Sequence, residues 1–314
     1  MRTFAPGKLV LTGAYAVLEG APAIVVATSR GAFADGARAA LTPTPEVRAA
    51  IGDVPAPHFD ASSMFIGARK LGLGASAAIL VASLAVREAE RGADLSSPSV
   101  RDALFARARA AHADAQGGGS GVDIAASVYG GVLRYTLTSR APVRLPPKTK
   151  LSVLACATSA RTAELRSQVD ALAEANAVVH AACMNELSAI AAEASLAVER
   201  ADHDAFVIAV RRTSRALARL GTASGAPIVP TGFDVLGDLA ANEGAALCVA
   251  GAGGGDVAAF VGHDVPSKEF LERALAFGLF LLSLELDEKG VRTATQTLAM
   301  NAGLSGIGAS SVRQ

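Results

Sequence analysis

Between Lys70 and Val86 the chain reads KLGLGASAAILVASLAV, two glycines and a serine set directly against an unbroken apolar stretch. Few folds accommodate that juncture. Spanning a bilayer takes about 18 apolar residues, which no run here approaches, so the stretch predicts a helix buried inside a folded domain. The first N–H groups of such a helix have no partner within it. Glycines beside them permit close approach of an anion, and the helix dipole favours negative charge there. A tight turn into a core helix is the plainer alternative.

The rest of the composition narrows the partners. With 314 residues, 51% of them hydrophobic, the chain can fill a sizeable core in one large domain or two. Lys plus Arg and Asp plus Glu balance at 29 each, leaving no global field to attract nucleic acid or an anionic membrane. Any anion site is therefore local. Cys156, Cys183 and Cys248 lie far apart in Ala/Val/Leu-rich surroundings, as small buried hydrophobes in a reducing compartment do. The opening MRTFAPGKLVLTGAYAVLEG is interrupted by Gly, Tyr and Glu too early for a signal peptide. A cytoplasmic protein is expected.

Along the chain, β-branched and Leu clusters between Gly-containing turns predict an antiparallel sheet from Lys8 to Leu41. Helices are expected at Ser76 to Arg91 and at Ser99 to Ala115, with Ser99 as N-cap. A second glycine loop, AQGGGSGVDIAASVYGG, precedes a strand in GVLRYTLTS, and the proline-marked RAPVRLPPKTK predicts a boundary between domains 1–148 and 149–314. Beyond it come a strand in LSVLACAT, helices at Ala163 to Arg200 and Asp202 to Leu220, and a third glycine loop, VAGAGGGDVAAFVG. A helix at Ser267 to Phe277, a strand alternating Leu282, Leu284 and Leu286, and a loose tail complete the reading. Strands and helices interleave without long parallel βαβ runs, so an α+β architecture is expected in each half.

None of the three glycine loops has the P-loop spacing. Gly72 to Ala77 satisfies the dinucleotide pattern G-x-G-x-x-A, but no buried strand precedes it and no acid follows at about 20 positions. Taken in order, however, the loops resemble the GHMP kinase superfamily. APGKLVLTGAYAVLEG is similar to its first motif, GLGASAA to its nucleotide-phosphate loop and GAGGGD to its third motif, over most of the chain. AHADAQGGGSGVDIAASVYGG most resembles the phosphomevalonate kinase branch, with mevalonate kinases next; in the latter a metal-binding Glu occupies the place of His112.

The resemblance implies a ribosomal-protein-S5-like N-terminal half and a ferredoxin-like C-terminal half with the active site between them. It implies ATP and Mg²⁺ as cofactors and a small-molecule phosphate acceptor as partner, and it is compatible with a homodimer. Lys8 and Asp123 are the expected catalytic residues. Lys70, Gly72, Leu73, Gly74, Ala75, Ser76 and Ala77 would contact the nucleotide, Ser76 also ligating Mg²⁺. Tyr15, Ser120, Gly121, Arg161, Gly253, Gly254, Gly255 and Asp256 would face the acceptor, with Arg69 and Arg134 as further candidate cations.

Plainer readings stand beside these. Asp123 and Ser76 could be helix caps, Asp256 a turn former, and the five histidines, His58, His112, His180, His203 and His263, show no metal-ligand spacing. The chain departs from the family pattern at Ala14, where an acid is usual, at Ala75, where a serine is, and at Gly118, where a lysine is common. These departures keep open a nucleotide-binding homologue without turnover.

Overall fold

A computed structural model of the chain describes residues 1–157 and 162–294. Strand β1 (Arg2–Thr12) runs antiparallel to the long β2 (Ala23–Ala39), and a short 3-10 turn at Ala16–Glu19 joins them. After α1 (Pro45–Ile51), β3 (Pro57–Asp60) pairs with β2, and β4 (Phe65–Ile66) forms a small hairpin with β5 (Arg69–Lys70). Then follow α2 (Ala75–Glu90), α3 (Pro98–Gln116), α4 (Val122–Tyr129), β6 (Val132–Tyr135) and β7 (Arg140–Val143).

The chain continues with β8 (Lys150–Cys156), α5 (Thr162–Ala175), α6 (Ala177–Glu199), α7 (His203–Ser224) and α8 (Phe233–Asn242). Last come β9 (Ala246–Val249), β10 (Val257–Gly262), α9 (Lys268–Ala276), β11 (Leu279–Leu282) and β12 (Arg292–Thr293).

Two sheets carry the molecule. The first runs β12-β1-β2-β6-β7, with β3 attached to β2; the second runs β11-β8-β10-β9, the arrangement of a ferredoxin-like βαββαβ unit. Every strand pairing among the described residues is antiparallel. That excludes the parallel, doubly wound sheet on which a G-x-G-x-x-A fingerprint acts. The architecture is α+β, as expected.

Helix α2 is the pivot of the first half. From Ala77 to Val86 every residue is buried, because the helix packs on β1 and β2 on one side and on α3 and α4 on the other. Each large apolar side chain so enclosed contributes roughly 1.5–3 kcal/mol. In the second half α7 packs on β9, while α6 also reaches β2 and the 3-10 turn. Cys156 and Cys248 are buried, and burial pushes both thiols up to about 12, as befits inert core residues. No helix among the described residues is long and apolar enough to cross a membrane.

The structure corrects several element boundaries. Helix α3 starts at Pro98 with Ser97, not Ser99, in the N-cap position, since proline's fixed φ suits the first helical residue. The long helix expected from Ala163 to Arg200 is two helices: Asn176 accepts the Val179 N–H at 3.2 Å and starts a new one. Leu284 and Leu286 do not extend the last strand of the second sheet. Their segment crosses back to the first, where Ser29 N–H donates to Glu285 O and Asp287 N–H to Ala27 O, and β12 then pairs with β1. The expected loose tail and Arg161 lie outside the described residues.

Candidate active site

All three glycine loops meet at the ammonium group of Lys8. A break in register between Pro6 and Gly7 twists β1 just before it, at the point where proline lacks a ladder donor. The Lys8 N–H donates to Leu73 O at 2.9 Å, which ties the strand to the loop ahead of α2. Its Nζ donates to Gly72 O at 3.2 Å and stands 3.8 Å from Asp123 Oδ1. A side chain added at Gly251 would meet the same Nζ at 3.4 Å. Lys8 is 11% and Asp123 30% exposed, so the pair is shielded yet open to a ligand from one side.

The loop ahead of α2 suits a polyphosphate. Gly74 occupies the N-cap position in the left-handed region, with no side chain capping the helix. The amides that open α2 thus have no side-chain partner, and they sit beside a cation. A Cβ at Gly74 would fill the space 3.1 Å from Lys8 Cγ and 3.5 Å from Asp123 Oδ2, so the cradle exists only because glycine leaves it. Leu73 and Ala77 are buried; what they can offer a ligand is backbone. Ser76 lies in the first turn and is not the N-cap, and its Oγ stands 3.3 Å from His112 Nε2. Hydroxyl and carboxylate oxygens near a phosphate cradle are the donors Mg²⁺ prefers, and Ser76 and Asp123 supply one of each.

Behind His112 lies Glu46, 5% exposed, which accepts from Gln116 Nε2 at 2.6 Å. Burial alone would raise its carboxyl, but the Gln116 hydrogen bond, those from its own N–H and Thr44, and nearby His112 hold it below the usual carboxylate value. A lowered folded pKa contributes stability above the unfolded value that is lost as pH falls through the folded one. Glu46→Gln is expected to cost about 1.5–3 kcal/mol at pH 7. Thermal melts should show the gap to wild type closing below about pH 4.3; a gap independent of pH would refute the charged-state argument.

On the opposite wall, Asp123 is not a cap. Gly121 holds that position and Asp123 sits in the first turn of α4, facing Lys8. The Ser120–Gly121 turn is braced by Tyr135, whose hydroxyl donates to Ser120 O, and by Arg109, whose Nε lies 3.2 Å from where a Gly121 side chain would begin. Tyr15 has φ 62°, an uncommon conformation for a tyrosine, and its hydroxyl donates to Ala252 O at 2.8 Å. This bond joins the first motif to the third loop. Within that loop Gly251 and Ala252 meet Lys8 and Tyr15, whereas Gly253 and Gly254 pack on Ile228, to whose carbonyl Gly254 donates at 2.7 Å. Asp256 packs on Gly72.

The expected cations divide. Lys70 is exposed in the β4–β5 hairpin. Arg69 donates to Cys156 O and lies over the Phe280 ring, tying the β4–β5 hairpin to the second sheet. Arg134 pairs with Glu199 at 3.4 Å. A cation that sequence reasoning missed is Arg166 of α5, whose guanidinium comes within 3.8 Å of where a Gly118 side chain would begin. Only the path of α5 over the second loop discloses it.

No protein-family model matches the chain. A phosphomevalonate kinase of Streptomyces sp. (strain CL190) is 29% identical over 80% of this chain and 87% of that protein. Among solved structures, the Lin0012 protein from Listeria innocua aligns with a TM-score of 0.78 at 22% identity, over 93% of this chain and 99% of that one. Streptococcus pneumoniae phosphomevalonate kinase in complex with phosphomevalonate and AMPPNP aligns with a TM-score of 0.70 at 20% identity, over 91% and 99%. The fold is that of the GHMP kinases. By sequence the chain is similar to the phosphomevalonate kinase branch of that group.

Proposed function

We propose that this chain is an ATP-dependent kinase that transfers the γ-phosphoryl group to the phosphate of mevalonate 5-phosphate, yielding mevalonate 5-diphosphate and ADP. One observation carries the reading: the Lys8–Asp123 pair, 3.8 Å apart and partly shielded, opens onto the uncapped start of α2. The similarity to a phosphomevalonate kinase sequence supports the choice of acceptor.

An acceptor phosphate, with a second pKa of about 6, is largely ionised at neutral pH. Its oxygen attacks the γ-phosphorus as the bond to the ADP oxygen breaks, and no proton has to be removed first. The demand falls on positioning and on neutralising negative charge. Lys8 meets the transferring group, and Asp123 orients Lys8. The α2 amides bind the nucleotide phosphates, and Arg109 and Arg166 stand by the loop where acceptor charge must be held. Mg²⁺ at Ser76 and Asp123 would neutralise the nucleotide phosphates further.

ADP release measured with mevalonate 5-phosphate, mevalonate, galactose and homoserine tests the reading. Turnover is expected on the first alone, with Arg166→Ala raising its KM about tenfold, as for loss of one charged contact, and kcat little changed. Turnover on mevalonate alone would reassign the acceptor. Nucleotide binding without turnover on any of them would make the chain a silent relative.

A further inference from the structure

A second site lies at the far end of β10. The strand begins beside Asp256, which packs on Gly72, and ends at Gly262, about 20 Å away for six extended residues. There the chain brings together His203 and Asp204 at the start of α7 and His263 just beyond β10. We propose that His203, Asp204 and His263 bind a divalent transition cation of the zinc class, independently of phosphoryl transfer.

The strongest observation is His203 itself. It is 8% exposed; its Nδ1 lies 2.8 Å from Thr149 Oγ1, while its Nε2 is buried without a hydrogen-bond partner. Buried polar atoms are rarely left so. A metal on Nε2 selects the tautomer in which Nδ1–H donates to Thr149, the outer contact that commonly fixes a ligating imidazole.

The other two groups complete a facing set. The His263 ring stacks on His203 with centroids 3.6 Å apart, and its Nε2 is 3.8 Å from Asp204 Oδ1. One donor atom from each residue falls within 4.8 Å of the others. Donors around a tetrahedral zinc stand roughly 3.3 Å apart. His263 and Asp204 are 50% and 87% exposed, so the His263 ring has room to turn out of the stack and aim its in-plane lone pair at an ion on His203, and Asp204 has room to swing toward it. Asp202 is committed to capping α7, accepting from Ala205 N–H at 3.0 Å, and Asp264 pairs with Lys150 at 3.3 Å. Two imidazoles and one carboxylate leave a fourth position for water, and the bound ion would clamp the start of α7 to the end of β10.

The test uses the full chain without an affinity tag, stripped with a chelator and free of nucleotide. Titration with Zn²⁺ alone should show about one equivalent bound and a Tm raised by roughly 5 °C at 100 times Kd. Co²⁺ should give the visible absorption of a tetrahedral site. His263→Ala alters an exposed side chain; it should weaken binding at least tenfold while apo Tm and ADP release stay unchanged, and Cys183→Ser should leave binding intact. His203→Ala should also abolish binding, but the conclusion rests on the His263 variant. Equal Zn²⁺ binding by wild type and His263→Ala would overturn the proposal, as would no binding at all.

Discussion

Lys8→Met lowers kcat for phosphoryl transfer by about 10³-fold while Tm stays close to that of wild type. The magnitude follows from the place of the ammonium. Removing one preorganised donor from a developing negative charge costs roughly 10²–10³ in rate, and cationic groups serving phosphoryl transfer reach 10³–10⁵. Methionine keeps the apolar stem, so the packing beside Gly74 survives. Arginine should not rescue, because Gly72 O at 3.2 Å, Asp123 at 3.8 Å and Gly251 leave a pocket sized for an ammonium, not a planar fork. Steady-state ADP release and thermal melts check this. Asp123→Asn combined with Lys8→Met should lose much less than the product of the single losses, since the two groups act as a unit. A loss below tenfold for Lys8→Met would remove the ammonium from the chemistry.

The second large effect is structural in origin and functional in outcome. Gly72 has φ 66°, and a Cβ there would stand 2.3 Å from Asp256 Oδ2 and 2.4 Å from Asp256 Cβ. Gly72→Ala combines a left-handed alanine, about 1–2 kcal/mol, with an overpacked contact, about 1–3 kcal/mol. Tm should fall by roughly 3–8 °C for a chain of this size. The loop that holds Lys8 Nζ through its carbonyl must also shift, so KM for ATP should rise at least tenfold. Gly92→Ala is the control: its φ is 83° with nothing within 4 Å, so only the backbone part should appear. Equal destabilisation by the two substitutions would refute the contact with Asp256 as the cause.

Much of the site is legible in the linear chain because its motifs are local. A glycine pair before an apolar run implies uncapped amides at a buried helix, and Lys8 and Asp123 sit within short stretches whose resemblance to kinase motifs implies a shared role. Less legible were the positions set by packing. Asn176 splits one expected helix because a side-chain cap competes with helix continuation. Leu286 alternates to match β2, not the neighbouring sheet. The third loop turns Gly251 and Ala252 toward Lys8 because Ile228 holds Gly253 and Gly254 away.

By itself the sequence indicated an α+β fold and an anion-suited glycine turn ahead of a buried helix, since backbone freedom, capping and hydrophobic periodicity are properties of neighbours in the chain; the expected roles of Lys8 and Asp123 came from the resemblance of their motifs to those of a kinase family. Tertiary structure alone decided that Arg166 reaches the second loop, that His112 meets Ser76, and that His203 stacks on His263. Each of those contacts joins residues from different elements, and their approach is governed by how sheets and helices pack, a free energy spread over the whole core.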